Sequence, residues 1–149
     1  MYQRTKLISQ TPTIDTAVYA SGDLLTPLMT FDVGNVGDGG VIKSLMIVDL
    51  DADSPALDVL FFTSNLSNST LTLNAAADIH DTDILTFIGH VSFVSGNWIA
   101  LADSSVATRE NLSLPFTTGT LYAVAVSRGT PDELTATDIT FILGVMLNG

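Results

Sequence analysis

The chain has 149 residues, of which 46% are hydrophobic and 14% charged, and five Lys and Arg against sixteen Asp and Glu give a formal net charge of −11. This length suffices for one domain with its own core, and the apolar content excludes a disordered acidic tail. So few basic residues argue against a nucleic-acid partner, because a polyanion is bound by clustered Lys and Arg. The absence of cysteine excludes disulfides and thiolate sites.

The choice of acidic residue favours strands and turns over helices. Only Glu110 and Glu133 are Glu, and the remaining acids are Asp, whereas helix surfaces are usually built from Glu, Lys, Arg and Gln. The apolar segments are short, rich in β-branched and aromatic residues, and separated by Gly, Asn, Asp and Ser, as strands are. We therefore predict an all-β fold, an antiparallel β-sandwich with jelly-roll-like topology.

The predicted elements follow one another as short strands with one interruption. Segment 74–89 breaks the strand pattern and predicts one or two helical turns, with Asn74 or Asp81 as the N-cap. The glycines of segment 34–40 predict a turn. The predicted strands, in chain order, are 6–14, 17–20, 24–33, 41–50, 57–63, 71–73, 91–94, 97–102, 113–116, 121–128 and 137–147.

These elements divide the chain into an N-terminal arm, 1–13, and a single β-sandwich domain, 14–149. The longest apolar runs fall far short of the roughly 18 residues that a membrane helix needs, so we expect no membrane partner. Within the last predicted strand, residues 139–147 are too apolar to be left exposed. They need a cover, either the core of their own sandwich or another subunit.

Three aspartates form the candidate metal site. Asp49, Asp51 and Asp53 have the spacing with which an EF-hand calcium loop begins. The loop glycine and the bidentate Glu of that motif are missing, because Ser54 and Leu60 stand in their places. The pattern therefore fits either a cation site or a solvated hairpin end, and we predict no resident metal.

No motif in the chain predicts catalysis. His80, Asp81 and Asp83, with His90 further on, bring histidine and carboxylate close in sequence. Two histidines fall short of a zinc site, and a capped helical turn is the alternative interpretation. The nucleophile elbow and the phosphate-binding loops are missing, and no spacing selects two carboxylates for a glycosidase. We predict a protein that is not an enzyme and binds no cofactor.

The N-terminal arm is the candidate docking element. Arg4 and Lys6 precede the first acid, Asp15, so that the arm is basic and the remaining chain strongly acidic. A basic arm would dock on an acidic neighbour, including another copy of the chain, and a frayed terminus is the alternative. The residues that we expect to dock are Tyr2, Arg4, Lys6, Leu7 and Ile8.

Several stretches resemble small structural proteins of tailed bacteriophages. In residues 11–25 a Tyr-Ala-Ser-Gly-Asp stretch leads towards the first core strand, and a Gly-rich turn then leads into Gly-Val-Ile-Lys-Ser-Leu-Met-Ile-Val-Asp at 40–49. The likeness extends nearly over the whole chain and includes no catalytic residue. The other stretches that carry it are 57–62, 74–88 and 121–126.

The resemblance implies a decoration or cement protein that binds the outside of a tailed-phage head and stabilises it. Its partners would be the major capsid protein and further copies of itself in a homotrimer, and its location the outer surface of the capsid. An acidic surface suits the exterior, because it would be repelled by packaged DNA.

A carbohydrate- or receptor-binding β-sandwich module of a phage virion, in a tail or head fibre, is the alternative function. In that case aromatic side chains would form the binding surface. The aromatic residues available for it are Trp98, Tyr19 and Tyr122.

Overall fold

Ten strands and one short helix, α1 (Asp81–Ile84), form the regular structure in a computed structural model that describes residues 3–34 and 39–148. A 3₁₀ turn lies at Ser95–Asn97. The strands are β1 (Gln3–Gln10), β2 (Met29–Asp32), β3 (Gly40–Asp49), β4 (Leu57–Phe62), β5 (Phe87–Phe93), β6 (Trp98–Leu101), β7 (Ser104–Arg109), β8 (Leu114–Phe116), β9 (Thr120–Ser127) and β10 (Ile139–Asn148).

The strands form two antiparallel sheets. The first sheet has the order β1-β10-β3-β7-β6, with β8 paired to the beginning of β3, and the second has the order β2-β9-β4-β5. Apart from β6 and β8, the strands pair in a nested way: β1 with β10, β2 with β9, β3 with β7 and β4 with β5. One long antiparallel ribbon folded across two sheets gives this nesting, which is the topology of a jelly roll. The predicted β-sandwich is confirmed.

The main core lies between the two sheets, where the inward residues of every long strand meet. In β10, Phe141, Leu143 and Val145 point inward and are buried, while the residues between them face the other way. This alternation follows from the period of two in an extended chain. The apolar C-terminal strand is therefore covered on one side by its own sandwich.

A second, smaller core covers the outer face of the second sheet. Segment 63–80 folds back over that face and is held by isolated bridges such as Asp23 with Ala76. Strand β9 is therefore buried on both sides, as its two apolar faces predict: Ala123 and Ala125 face the main core and Val124 the second. The buried members of the second core are Leu24, Phe62, Leu66 and Val124.

The helical interruption is confirmed, but it is a single turn, and the predicted caps are wrong. The N-cap is His80, whose Nδ1 accepts a hydrogen bond of 3.0 Å from the Thr82 amide. Asn74 instead adopts a left-handed backbone conformation with a φ of 56°, which Asn tolerates better than most residues. Its side-chain amide donates to the carbonyls of Ala17 and Val18.

The segment between β1 and β2 is less regular than predicted. The strand predicted at 6–14 ends at Gln10, and those predicted at 17–20 and 24–33 shrink to Met29–Asp32. Pro12 and Pro27 lack the amide that a ladder requires, which accounts for the shortening of the strands predicted at 6–14 and 24–33. The segment 17–20 forms no strand. In the predicted glycine turn, residues 35–38 lie outside the described residues.

Candidate functional site

The outer face of the first sheet is the broadest candidate surface, and we call it the open face. Its residues are side by side in the strand register and remain partly or fully exposed. One row across the sheet is Ser9, Ile142, Met46 and Thr108, and the next is Thr140, Val48, Val106 and Ile99.

The chemistry of the open face differs from that of the whole chain. Neither row contains an acidic residue, although sixteen acids give the chain its net charge of −11. Ile99 is 63% exposed, and Leu7, which lies on the same face opposite Gly144, is 68% exposed. Adjacent apolar side chains free of charge are typical of surfaces that bind another protein.

Residues 3–10, which we expected to belong to a separate arm, form the edge strand β1 and pair with β10. The Lys6 ammonium donates to the Asp32 carbonyl at 2.9 Å, and the Gln10 side-chain amide donates to the Thr30 carbonyl at 2.9 Å. Both bonds cross to β2, so they tie the two sheets together at this edge.

The five expected docking residues therefore have different environments. Ile8 packs against the main core and Lys6 holds β2, whereas Arg4 and Leu7 are exposed. Tyr2 lies outside the described residues. On its other side β1 pairs with no strand of the described ranges, and such an edge is a template for pairing with another chain.

The three aspartates selected by their spacing make different hydrogen bonds. The buried Asp49 accepts hydrogen bonds of 2.9 Å from the amides of Asp51 and Ser54, which fold the β3–β4 loop. Asp53 is exposed and accepts from the Asp132 amide at 2.8 Å. Among the described residues, the carboxylate oxygens that come within 4.8 Å of one another belong to a different set, which contains Asp51 alone of these three aspartates.

Asp51 instead meets two acids from the loop between β9 and β10. One carboxylate oxygen from each of Asp51, Glu133 and Asp138 lies within 4.8 Å of the others, and we call these residues the carboxylate cluster. Sequence spacing could not find it, because more than eighty positions separate Asp51 from its partners. The available signal was Glu133, one of two glutamates in an Asp-rich chain.

The carboxylate cluster is electrostatically strained. Burial, followed by the charge of Asp49, raises the pKa of Glu133 well above its usual range. Desolvation and the charge of Asp138 raise the pKa of Asp51. Both shifts have the same cause, because carboxylates are gathered here with little access to water.

The region around His80 joins α1 to segment 63–80 through hydrogen bonds. Asp83 accepts hydrogen bonds from the Ser69 hydroxyl at 2.6 Å and the Asn68 amide at 2.9 Å. These bonds lower the pKa of Asp83 and hold segment 63–80 against α1. The capped helical turn is thus the role that the contacts of His80 support.

A shallow groove of about 180 Å³ lies beside β5. The Arg128 guanidinium contacts the Asp58 carboxylate at 2.7 Å, and the Ser92 hydroxyl donates to the same carboxylate at 2.5 Å. Phe87 stacks against His90 with ring centroids 6.4 Å apart. The groove therefore combines a charged pair with an aromatic wall.

The aromatic residues expected to bind sugars do not form a shared surface. Tyr19 is 1% exposed, and burial raises its pKa to about 12. The Trp98 indole donates to the Pro55 carbonyl at 3.0 Å, and Tyr122 packs against the second core. Internal packing accounts for all three.

No protein-family model and no curated protein matches the chain. The chain is similar to a chain in the crystal structure of tomato aspermy virus, with a TM-score of 0.46 and 10% identity, over 99% of this chain and 78% of that chain. The T13 particle of infectious bursal disease virus matches with a TM-score of 0.46 and 9% identity, over 99% of this chain and 31% of that chain. The K3 adhesin domain of Lys-gingipain from Porphyromonas gingivalis matches with a TM-score of 0.37 and 11% identity, over 82% of this chain and 63% of that chain.

The chain thus spans less than a third of the bursal disease virus chain. At scores and identities this low, the likenesses carry no argument about function. Among the described residues, no helix has both the length and the apolar character needed to cross a bilayer.

We predict that Asp58→Asn lowers the free energy of unfolding by about 1 kcal/mol at pH 7. Burial alone would raise the pKa of Asp58, but hydrogen bonds from Ser92 and Arg128 outweigh it and lower the pKa. Because the pKa of Asp58 is lower in the folded state than its ordinary value of 3.8, its ionised carboxylate stabilises the fold at pH values above 3.8. This stabilisation is lost as the pH falls through the pKa of the folded state. Urea unfolding between pH 7 and pH 3 measures the difference.

The difference between wild type and variant should therefore shrink towards the acidic end of this range. The exposed Asp132 provides the matched control, Asp132→Asn. An Asp58→Asn effect that does not depend on pH would contradict the electrostatic origin of this contribution.

Proposed function

We propose that this protein is a non-enzymatic structural component of a virion, and specifically a decoration or cement protein on the outer surface of a tailed-phage head. The open face carries the proposal. It is a sheet surface with apolar rows and no acid in them, on a chain of net charge −11. The likeness of several stretches to tailed-phage structural proteins selects the virion among possible settings.

The open face suits a protein partner better than water, nucleic acid or a small molecule. Val48, Val106 and Ile99 form an apolar row across three neighbouring strands, and burying such a row stabilises an association through the hydrophobic effect. A flat sheet offers no enclosed pocket for a small ligand. We assign this face to contacts between copies of the chain in a homotrimer.

The β1 edge is assigned to the major capsid protein. Arg4 is exposed there, and the outer side of β1 is available for strand pairing or for polar contacts. Each subunit would supply one such edge, so a trimer would bind through three weak contacts at once. Linked contacts strengthen binding far beyond one contact alone, which is how such a protein would resist the pressure inside a head.

A glycan-binding role is the second candidate, and the groove beside β5 favours it. Sugars are bound by aromatic faces next to charged hydrogen-bonding groups, and Phe87, His90, Asp58 and Arg128 provide both. Titration of the protein with a glycan library, followed by NMR shifts at His90, separates this role from the first.

We predict that Met46→Glu converts the trimer into monomers. Met46 lies in the middle of the open face, where a carboxylate would be desolvated without a partner. Light scattering should change from about three times the chain mass of 15.7 kDa to that mass itself. Leu85→Glu adds the same charge at an exposed position beside α1 and should leave the trimer intact.

A wild-type monomer at all concentrations would contradict the assignment of the open face. Equal dissociation by both variants would also contradict it, since the effect would then follow from added charge alone.

We predict that Arg4→Glu weakens co-sedimentation with undecorated phage heads at least tenfold and leaves the trimer mass unchanged. Arg4 lies at the exposed edge, so its replacement changes the docking edge without touching the core. Deleting residues 1–13 would not isolate docking, because it removes β1 from the sheet. Unchanged binding of Arg4→Glu to heads would contradict docking through β1.

A further inference from the structure

The carboxylate cluster joins two loops at one end of the sandwich. Asp51 lies in the loop between β3 and β4, and Glu133 and Asp138 lie between β9 and β10. One carboxylate oxygen from each lies within 4.8 Å of the others. Three carboxylates so close together repel one another unless a cation lies between them or one of them binds a proton.

Glu133 is the residue that points to a ligand. Its side chain is 1% exposed, and neither carboxylate oxygen has a hydrogen-bond partner among the described residues. An ionised carboxylate that is buried without a partner is strongly unfavourable. The salt bridge found within the described ranges joins Arg128 to Asp58, so that pair does not neutralise the cluster.

We propose that Asp51, Glu133 and Asp138 bind a calcium ion. All three are oxygen donors, which hard cations prefer, and no histidine or cysteine belongs to the set. Two oxygens that are each about 2.4 Å from one ion lie at most about 4.8 Å apart, as these do. Water and backbone carbonyls would complete the six to eight ligands that calcium takes.

Neighbouring residues orient the three ligands. Asp138 accepts hydrogen bonds from the amide and the hydroxyl of Thr135, at 2.8 and 2.7 Å, and each of its oxygens keeps a lone pair for an ion. Asp49 accepts from the Asp51 amide and so turns the loop that carries Asp51. Such outer contacts fix ligand geometry in metal sites.

An ion here would fasten three segments of the chain. The segment between β1 and β2 is already hydrogen-bonded to the β9–β10 loop, since the Ile14 amide donates to the Ala136 carbonyl and the Tyr19 amide to the Pro131 carbonyl. The Asp132 amide already joins the β3–β4 loop to the β9–β10 loop through Asp53, and calcium would add a second link through Asp51. The ion would therefore stabilise this end of the sandwich without touching the open face.

The test compares chelator-treated protein in calcium chloride, in magnesium chloride and without divalent ions. We expect millimolar calcium to raise the Tm by about 5 °C or more, and magnesium to do so much less, because it requires a tighter octahedral site. Trp98 gives a second signal, since its indole donates to Pro55 in the β3–β4 loop. Its fluorescence should change as calcium is added, and this change should level off at the same calcium concentration as the rise in Tm.

Glu133→Gln keeps the size of the side chain and removes its charge. We expect it to abolish the calcium shift while the calcium-free Tm stays at or above that of wild type, because the amide ends the repulsion. Asp53→Asn is the matched control, since it neutralises an exposed acid of the same loop outside the cluster. If Glu133→Gln does not fold, Asp51→Asn at a half-exposed position replaces it.

Three results would overturn the proposal. A wild-type Tm that does not respond to calcium would mean that Glu133 holds a proton instead of sharing an ion. An equal calcium shift in Glu133→Gln would place the effect elsewhere on the acidic surface. An equal response to magnesium would reduce it to general screening of charge.

Discussion

Strand β10 lies between β1 and β3, and its two faces connect the core of the sandwich with the open face. Its inward residues, Phe141 and Leu143 among them, fill the main core, and its outward residues Ile142 and Met146 lie on the open face. Asp138, directly before β10, supplies one carboxylate to the cluster. One strand therefore links the stability of the sandwich, its candidate interface and its candidate ion site.

The distribution of acids separates these roles. The open face excludes them from its central rows, while the loops at one end of the sandwich concentrate them around Glu133. An apolar face favours contact with another protein, and an acidic remainder opposes binding to nucleic acid and unspecific association. The acidic residues are therefore missing from the surface that favours a protein partner and concentrated at the end of the sandwich that holds the carboxylate cluster.

The sequence predicts what depends on local pattern and fails where distant segments meet. In β9 the local alternation of apolar side chains on both faces is enough to indicate the burial found on both sides. Alternation shows which residues share a face, but it does not show which strands are neighbours. The pairing of β1 with β10 and the meeting of Asp51 with Glu133 therefore lay beyond sequence reasoning. Asp51 itself was among the predicted residues, but its expected partners Asp49 and Asp53 make other contacts.

The oxidation rates of three methionines under dilute peroxide would show whether protein covers the open face in the assembled state. Met46 and Met146 are half-exposed on the open face, whereas Met29 is buried in the core, and oxidation of Met follows its exposure. We expect all three methionines to oxidise equally slowly in the wild-type assembly, and Met146 to oxidise fast in Met46→Glu. If Met46 and Met146 oxidise much faster than Met29 in the wild-type assembly, the open face is not covered by protein.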